Sequence, residues 1–207
     1  MAQVPNQCKG PDEADEGRRS ARPPKRPAEH ICSEFKAEND ENMALTRDQL
    51  FALLSELGIK TTTVEHPPAF TVADSSSIYI LLPGAHTKNL FLKDDRGTLV
   101  LVIAKSTTSI DLKLLSKRFG AGRFSFGKPE LLTTALGVTP GAVTAFAVAN
   151  DTVRRVKVIF DQALMADDSV NCHPLENTAT TNIARDDLLR FIRSTGHEPR
   201  VMVLTAA

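Results

Sequence analysis

The chain has 207 residues, 42% of them hydrophobic, with 25 basic and 25 acidic side chains and no tryptophan. That is enough for one well-buried core built on aliphatic residues and phenylalanine. Zero net charge excludes a globally basic protein held to nucleic acid by many phosphate contacts. No apolar run approaches the roughly 18 residues that span a bilayer, which excludes a helical membrane span.

Residues 1–42 hold seven basic and nine acidic side chains and the proline-rich run "RRSARPPKRPAEH". So polar a stretch has little apolar surface to offset ordering and predicts a disordered leader or a non-native extension, with the folded domain over 43–207. Its start lacks the apolar stretch of a secretory signal. Cys8, Cys32 and Cys172 are too scattered for a disulfide framework and suit a reducing compartment. Together these features predict a cytoplasmic protein.

The domain opens with "TRDQLFALLSELG". Thr46 and Gln49 have capping-box spacing, Leu50, Leu53, Leu54 and Leu57 share one helical face, and Gly58 ends the helix. β-Branched "KTTTVEH" predicts a strand stopped by Pro67-Pro68. "TVADSSSIYILLPG" predicts a short helix capped by Thr71 and then a turn. "KNLFLKD" and "TLVLVIA" predict a hairpin through Asp94-Asp95-Arg96-Gly97.

"SIDLKLLSKRFG" and "GKPELLTTALG" predict amphipathic helices closed by glycine. "AVTAFAVAND", "RVKVIFDQALM" and "ENTATTNI" predict strands, "RDDLLRFIRSTG" a helix and "PRVMVL" a closing strand. This irregular alternation predicts a compact single α/β domain, its mixed, partly antiparallel sheet flanked by short helices.

Few residues here carry chemistry by pattern alone. "GAGRFSFGKP" lacks phosphate-loop spacing and runs into Pro129. Cys172 and His173, adjacent on an extended segment, point to opposite sides and form no dyad. No CxxC or HxxxH spacing suggests zinc. His173 is either a structural histidine bonded to backbone or a pocket residue. Lys88 is either a solvated strand end or an ammonium group held beside a site. Gly84 allows close backbone approach next to it, and His86 and Asn89 add polar groups.

The phrases "VEHPPAFTVADS", "LPGAHTKNLFLKD", "LSKRFGAGRFSF", "PELL…LGVTPGAVTAF", "NTATTNI" and "TGHEPRVMVL" resemble the prolyl-tRNA synthetase-associated editing domains, the YbaK/ProX-like family. The similarity runs from about Met43 to Leu204, and is greatest to the free-standing ProXp-ala (PrdX) branch. The resemblance implies a YbaK-like domain that needs no cofactor or metal. It implies hydrolysis, in trans, of the ester of alanyl-tRNA(Pro), with a mischarged, proline-specific tRNA as partner and prolyl-tRNA synthetase as a further candidate. No DNA or membrane partner is implied.

The family's lysine falls on Lys88, followed by Asn89. Its "HPLxNTAT" segment falls on His173, Pro174, Leu175, Asn177, Thr178, Ala179 and Thr180, and its "GxxxP" loop on Gly141, Ala142, Val143, Thr144 and Ala145. Lys88 and His173 are thereby expected at the chemistry. Gly84, His86, Asn89, the Gly141–Ala145 loop and Asn177 are expected around the substrate. Ala145 departs from the family proline, and Ser75 to Leu82 from a more polar, arginine-containing segment. A non-catalytic module binding tRNA or the synthetase, and a deacylase for cysteinyl-, seryl- or 2-aminobutyryl-tRNA, are the alternatives.

Overall fold

The computed structural model describes residues 44–68 and 82–205. The leader, its boundary with the domain and the helix expected from Thr71 lie outside the described residues.

Helix α1 (Arg47–Glu56) starts at the expected capping box. The Thr46 side chain accepts from the Gln49 amide at 3.3 Å, and the Gln49 side chain accepts from the Thr46 amide at 2.9 Å. Ten residues of helix are marginal alone. Burial of Leu50, Leu53 and Leu54, at roughly 1.5–3 kcal/mol each, holds α1 to the body.

Strand β1 (Thr61–Glu65) follows, then the hairpin β2 (Ala85–Lys93) and β3 (Leu99–Lys105). Helix α2 (Leu112–Phe119), β4 (Ser125–Phe126) and helix α3 (Pro129–Leu136) come next. The remaining elements are β5 (Val156–Asp161), β6 (Ser169–Cys172), β7 (Ala179–Ala184), helix α4 (Arg185–Ser194) and β8 (Arg200–Met202).

The strands form one mixed sheet in the order β1-β7-β6-β2-β3-β5-β8, with β4 pairing β2. β2 meets β3 antiparallel but β6 parallel, and β3, β5 and β8 run parallel. Mixed α/β architecture is therefore as expected, while β4 and β6 were not legible. "AVTAFAVAND" is not a strand: Ala145–Asn150 forms a 3-10 turn capped by Thr144. Its run from Ala145 to Ala149 is buried throughout, and a short continuous apolar run does not reveal its period. "RVKVIFDQALM" is half strand, because the Asp161 side chain takes the Ala163 amide at 3.1 Å and starts a second 3-10 turn, Gln162–Ala166.

Alternation divides the strands between two faces. Leu99, Leu101 and Ile103 of β3 join Val156, Val158 and Phe160 of β5 in the main core, under α1, α3 and α4. Val100, Val102 and Ala104 face the other way, with Leu92, Ile159 and Leu115 of α2. On that second face the pattern changes past Ala104. The neighbouring half, built from the start of β2 with β6 and β7, carries His86, Lys88, Asn171, Thr180 and Asn182 instead of aliphatic side chains.

Candidate functional site

β2 runs from the polar half of this face to its apolar half. His86 and Lys88 share a side with Leu90 and Leu92, whereas Ala85, Thr87, Asn89 and Phe91 share the opposite one. Lys88 does not end in open water. Its Nζ donates to the Thr108 carbonyl in the loop after β3, and Thr108 Oγ1 in turn donates to Asp161 Oδ2.

His86 meets Asn171 in the parallel β2–β6 pairing. Asn171 Nδ2 donates to the Pro83 carbonyl at 3.0 Å and lies 3.3 Å from His86 Nε2. Asn182 Nδ2 donates to Asn171 Oδ1 at 2.9 Å and to the Pro83 carbonyl at 2.8 Å. Burial lowers the pKa of His86, opposed by its bond to the Leu82 backbone.

His173 follows directly on β6. Its Nδ1 is 3.0 Å from the Ala179 carbonyl, so the proton is on Nδ1 and Nε2 carries the lone pair of the neutral ring. Nε2 makes no hydrogen bond among the described residues. Burial lowers the His173 pKa, and nearby His66 lowers it further against the effect of the Ala179 bond. The two rings lie 6.2 Å apart. His66 donates through Nδ1 to the Pro67 carbonyl at 2.8 Å, and its Nε2 shares a hydrogen bond with Thr180 Oγ1 at 2.9 Å.

The segment after His173 is tightly held. Leu175 adopts φ +69°, costly for a branched side chain by about 1–3 kcal/mol, and its amide bonds back to the His173 carbonyl at 3.0 Å. Glu176 accepts from Arg47 Nη1 at 2.8 Å, and Arg47 also pairs with Glu65 at the end of β1. Asn177 lies half-buried in the same turn.

Other expected site residues are distributed differently. Asn89 pairs with Ile103 on the side opposite Lys88, and its Oδ1 is a buried acceptor with no partner among the described residues. In the Gly141–Ala145 loop, Ala142, Thr144 and Ala145 are buried, leaving Gly141 and Val143 as its accessible members. Gly84 packs against Ser169 of β6. Cys172 is buried, its thiol pushed up to about 12 by burial, with Thr87 Oγ1 3.7 Å from its sulfur. It faces the main core, away from the imidazoles. Sequence reasoning missed His66, Asn171, Asn182, Thr108 and Asp161. Only "EHPP" offered a signal, a histidine between a strand and two prolines. Among the described residues no group of three or more His, Cys, Asp or Glu side chains is placed to hold a metal, and no helix is long and apolar enough to cross a membrane.

Ala145, on which the resemblance places the family's proline, is the first residue of a helical turn. Proline is tolerated there because the amide it lacks has no partner within the turn. Ala145→Pro is expected to keep the fold and to stabilise it by about 0.4–1 kcal/mol. A thermal melt with a midpoint several degrees below the parent's would contradict this.

The sequence model of the aminoacyl-tRNA editing domain matches residues 66–191, from His66 through His173 and into α4. Prolyl-tRNA synthetase associated domain-containing protein 1 of Danio rerio is 38% identical over 158 residues, covering 75% of this chain and 86% of its own. Prolyl-tRNA editing protein ProX of Acetoanaerobium sticklandii is 36% identical over 152 residues, covering 73% and 93%. A crystal structure provisionally described as a trans-editing enzyme for prolyl tRNA synthetase superimposes with a TM-score of 0.58 at 16% identity, over 87% of this chain and 98% of that one. At that identity the likeness concerns the fold alone.

Proposed function

Because this chain belongs to the aminoacyl-tRNA editing domain family, we propose that it is a trans-acting deacylase that frees alanine from mischarged tRNA(Pro). The observation carrying this reading is the polar half-face, where an anchored ammonium group and a neutral imidazole whose Nε2 has no partner among the described residues lie on a sheet whose other half is covered by aliphatic side chains. The 43–207 unit is taken as the editing domain.

An aminoacyl ester is already activated, so placing it and a water molecule supplies most of what hydrolysis requires. Lys88 polarises the ester carbonyl or orients the terminal adenosine. His173 Nε2 accepts a hydrogen bond from the water or from a ribose hydroxyl. Water adds to the carbonyl carbon, the bond to the ribose oxygen breaks and that oxygen takes a proton, giving alanine and tRNA with a free terminal hydroxyl. Gly141 and Val143 border the acyl group and Asn177 is a further polar contact, whereas Asn89, on the opposite side of the sheet from Lys88, supports the site from behind.

Selectivity follows from size. A site built for proline rejects smaller alanine weakly, since a missing methylene is worth only about 1–3 kcal/mol, whereas a small second pocket excludes proline's ring. The test is incubation of the protein with alanine- and proline-charged tRNA(Pro). Alanine release without proline release supports the reading. Binding without release at any enzyme concentration assigns a non-catalytic module instead, and preferential release of cysteine, serine or 2-aminobutyrate reassigns the substrate.

The histidine gives this reading a pH signature. His173 has its pKa held below the usual 6.5, chiefly by burial, so the neutral ring is the majority form at pH 6.5 and protonation takes over only at lower pH. Activity that needs its lone pair is therefore expected to keep more than half of its plateau at pH 6.5 and to have its acid midpoint below 6.5, after subtraction of spontaneous hydrolysis. Stability has the same sign: the contribution of the buried neutral ring is present above the unfolded pKa and lost as pH falls through the folded one. In His173→Gln the acid limb in kcat/KM is expected to vanish, and an unchanged limb would remove His173 from the chemistry.

A further inference from the structure

Lys88 would be a poor tool if its flexible stem let the ammonium wander. Its Nζ is tied to one acceptor, the Thr108 carbonyl, which belongs to the short loop leaving β3. That loop is fastened at its base by the Ser106 amide on the His86 carbonyl at 2.8 Å and by the Thr108 amide on the Lys105 carbonyl at 2.9 Å. The Thr108 side chain turns inward and donates to Asp161 Oδ2. Thr108 is 7% exposed and Asp161 2%.

Asp161 needs explaining, because a carboxylate is costly to bury without compensation. Its Oδ1 accepts the Ala163 amide at 3.1 Å and starts the following 3-10 turn, a task that a neutral asparagine or serine also performs. Lys105, at the end of β3, is engaged by Asp167 at 2.7 Å. Among the described residues, the cation connected to Asp161 is Lys88, through one threonine whose hydroxyl meets the carboxylate and whose carbonyl meets the ammonium.

We infer that Thr108 and Asp161 are positioning residues for Lys88. The buried carboxylate locks the Thr108 rotamer and thus the direction of its carbonyl, and its negative charge favours an ammonium group at that spot. This rests on the reading that Lys88 acts on the ester. Both side chains are buried and reach the ester through Lys88, so losing either is expected to lower kcat while leaving KM nearly unchanged.

The test is a set of double-mutant cycles on release of alanine from alanyl-tRNA(Pro). Asp161→Asn and Thr108→Val are each expected to lower kcat about tenfold with KM within about twofold, and Thr108→Ser, which restores the hydroxyl, to return kcat to within about threefold of the parent. In a Lys88→Met background, Asp161→Asn and Thr108→Val are expected to cause no further loss. If Thr108→Val does not fold, Asp161→Asn decides, since it keeps the side-chain shape and the bond to Ala163. Parental kcat in Asp161→Asn, or losses that multiply in the Lys88→Met background, would leave the pair a mere cap of the 3-10 turn. A Lys88→Met enzyme as fast as the parent would instead sink the underlying reading of Lys88, a separate outcome.

Discussion

Replacing Lys88 by methionine is expected to slow release of alanine from alanyl-tRNA(Pro) about 100- to 1,000-fold, the usual effect of removing a group that stabilises charge developing on an acyl oxygen. Methionine keeps most of the stem's length and apolar contact beside Leu90, so the comparison isolates the ammonium group. The structural cost is small, one carbonyl partner lost at Thr108, worth about 1 kcal/mol. Lys88→Arg is expected to lose most of the activity as well. A planar, forked guanidinium does not fit where a compact ammonium meets a single carbonyl. The measurement is single-turnover deacylation with enzyme in excess, alongside a thermal melt. A parental rate in Lys88→Met would show that the charge takes no part in the reaction.

How much of this was legible in the sequence depended on whether the signal was local. Helix α1 was readable because the Thr46–Gln49 box, the leucine spacing and Gly58 agree within one short stretch. The β2–β3 hairpin was readable for the same reason. β6 was not, because "SVNC" has no alternation of its own and becomes a strand only between β2 and β7. The 3-10 turn at Ala145–Asn150 was misread as a strand because complete burial erases periodicity. The site divides the same way. Lys88 and His173 stood out through family phrases, but their partners are set by contacts across the chain. Thr108 is 20 residues from Lys88 and Asp161 is 53 from Thr108. Asn89 shows the limit of adjacency: next to Lys88 in sequence, it faces the opposite side of the sheet.

Gly84→Ala is expected to be the most damaging single substitution for the fold near the site. Gly84 has φ +88°, and an added Cβ would lie 2.2 Å from Ser169 Oγ and 2.4 Å from the Ser169 carbonyl oxygen. The hydroxyl can swing away, but the carbonyl belongs to β6 and cannot move without disturbing the parallel pairing that aligns His86 with Asn171. Left-handed strain and a backbone collision together are expected to cost on the order of 3 kcal/mol, lowering the melting midpoint by about 6–12 °C. Gly120→Ala separates the two causes. Gly120 also has positive φ, at +79°, but nothing lies within 4 Å of an added Cβ. Its loss is expected to be only about 1 kcal/mol, the conformational part alone. Equal losses at the two positions would mean that backbone conformation, and not the approach of β2 to β6, requires glycine at 84. A larger loss at Gly84, with deacylation falling in the protein that stays folded, would tie the close contact of these strands to the placement of Lys88 and His173.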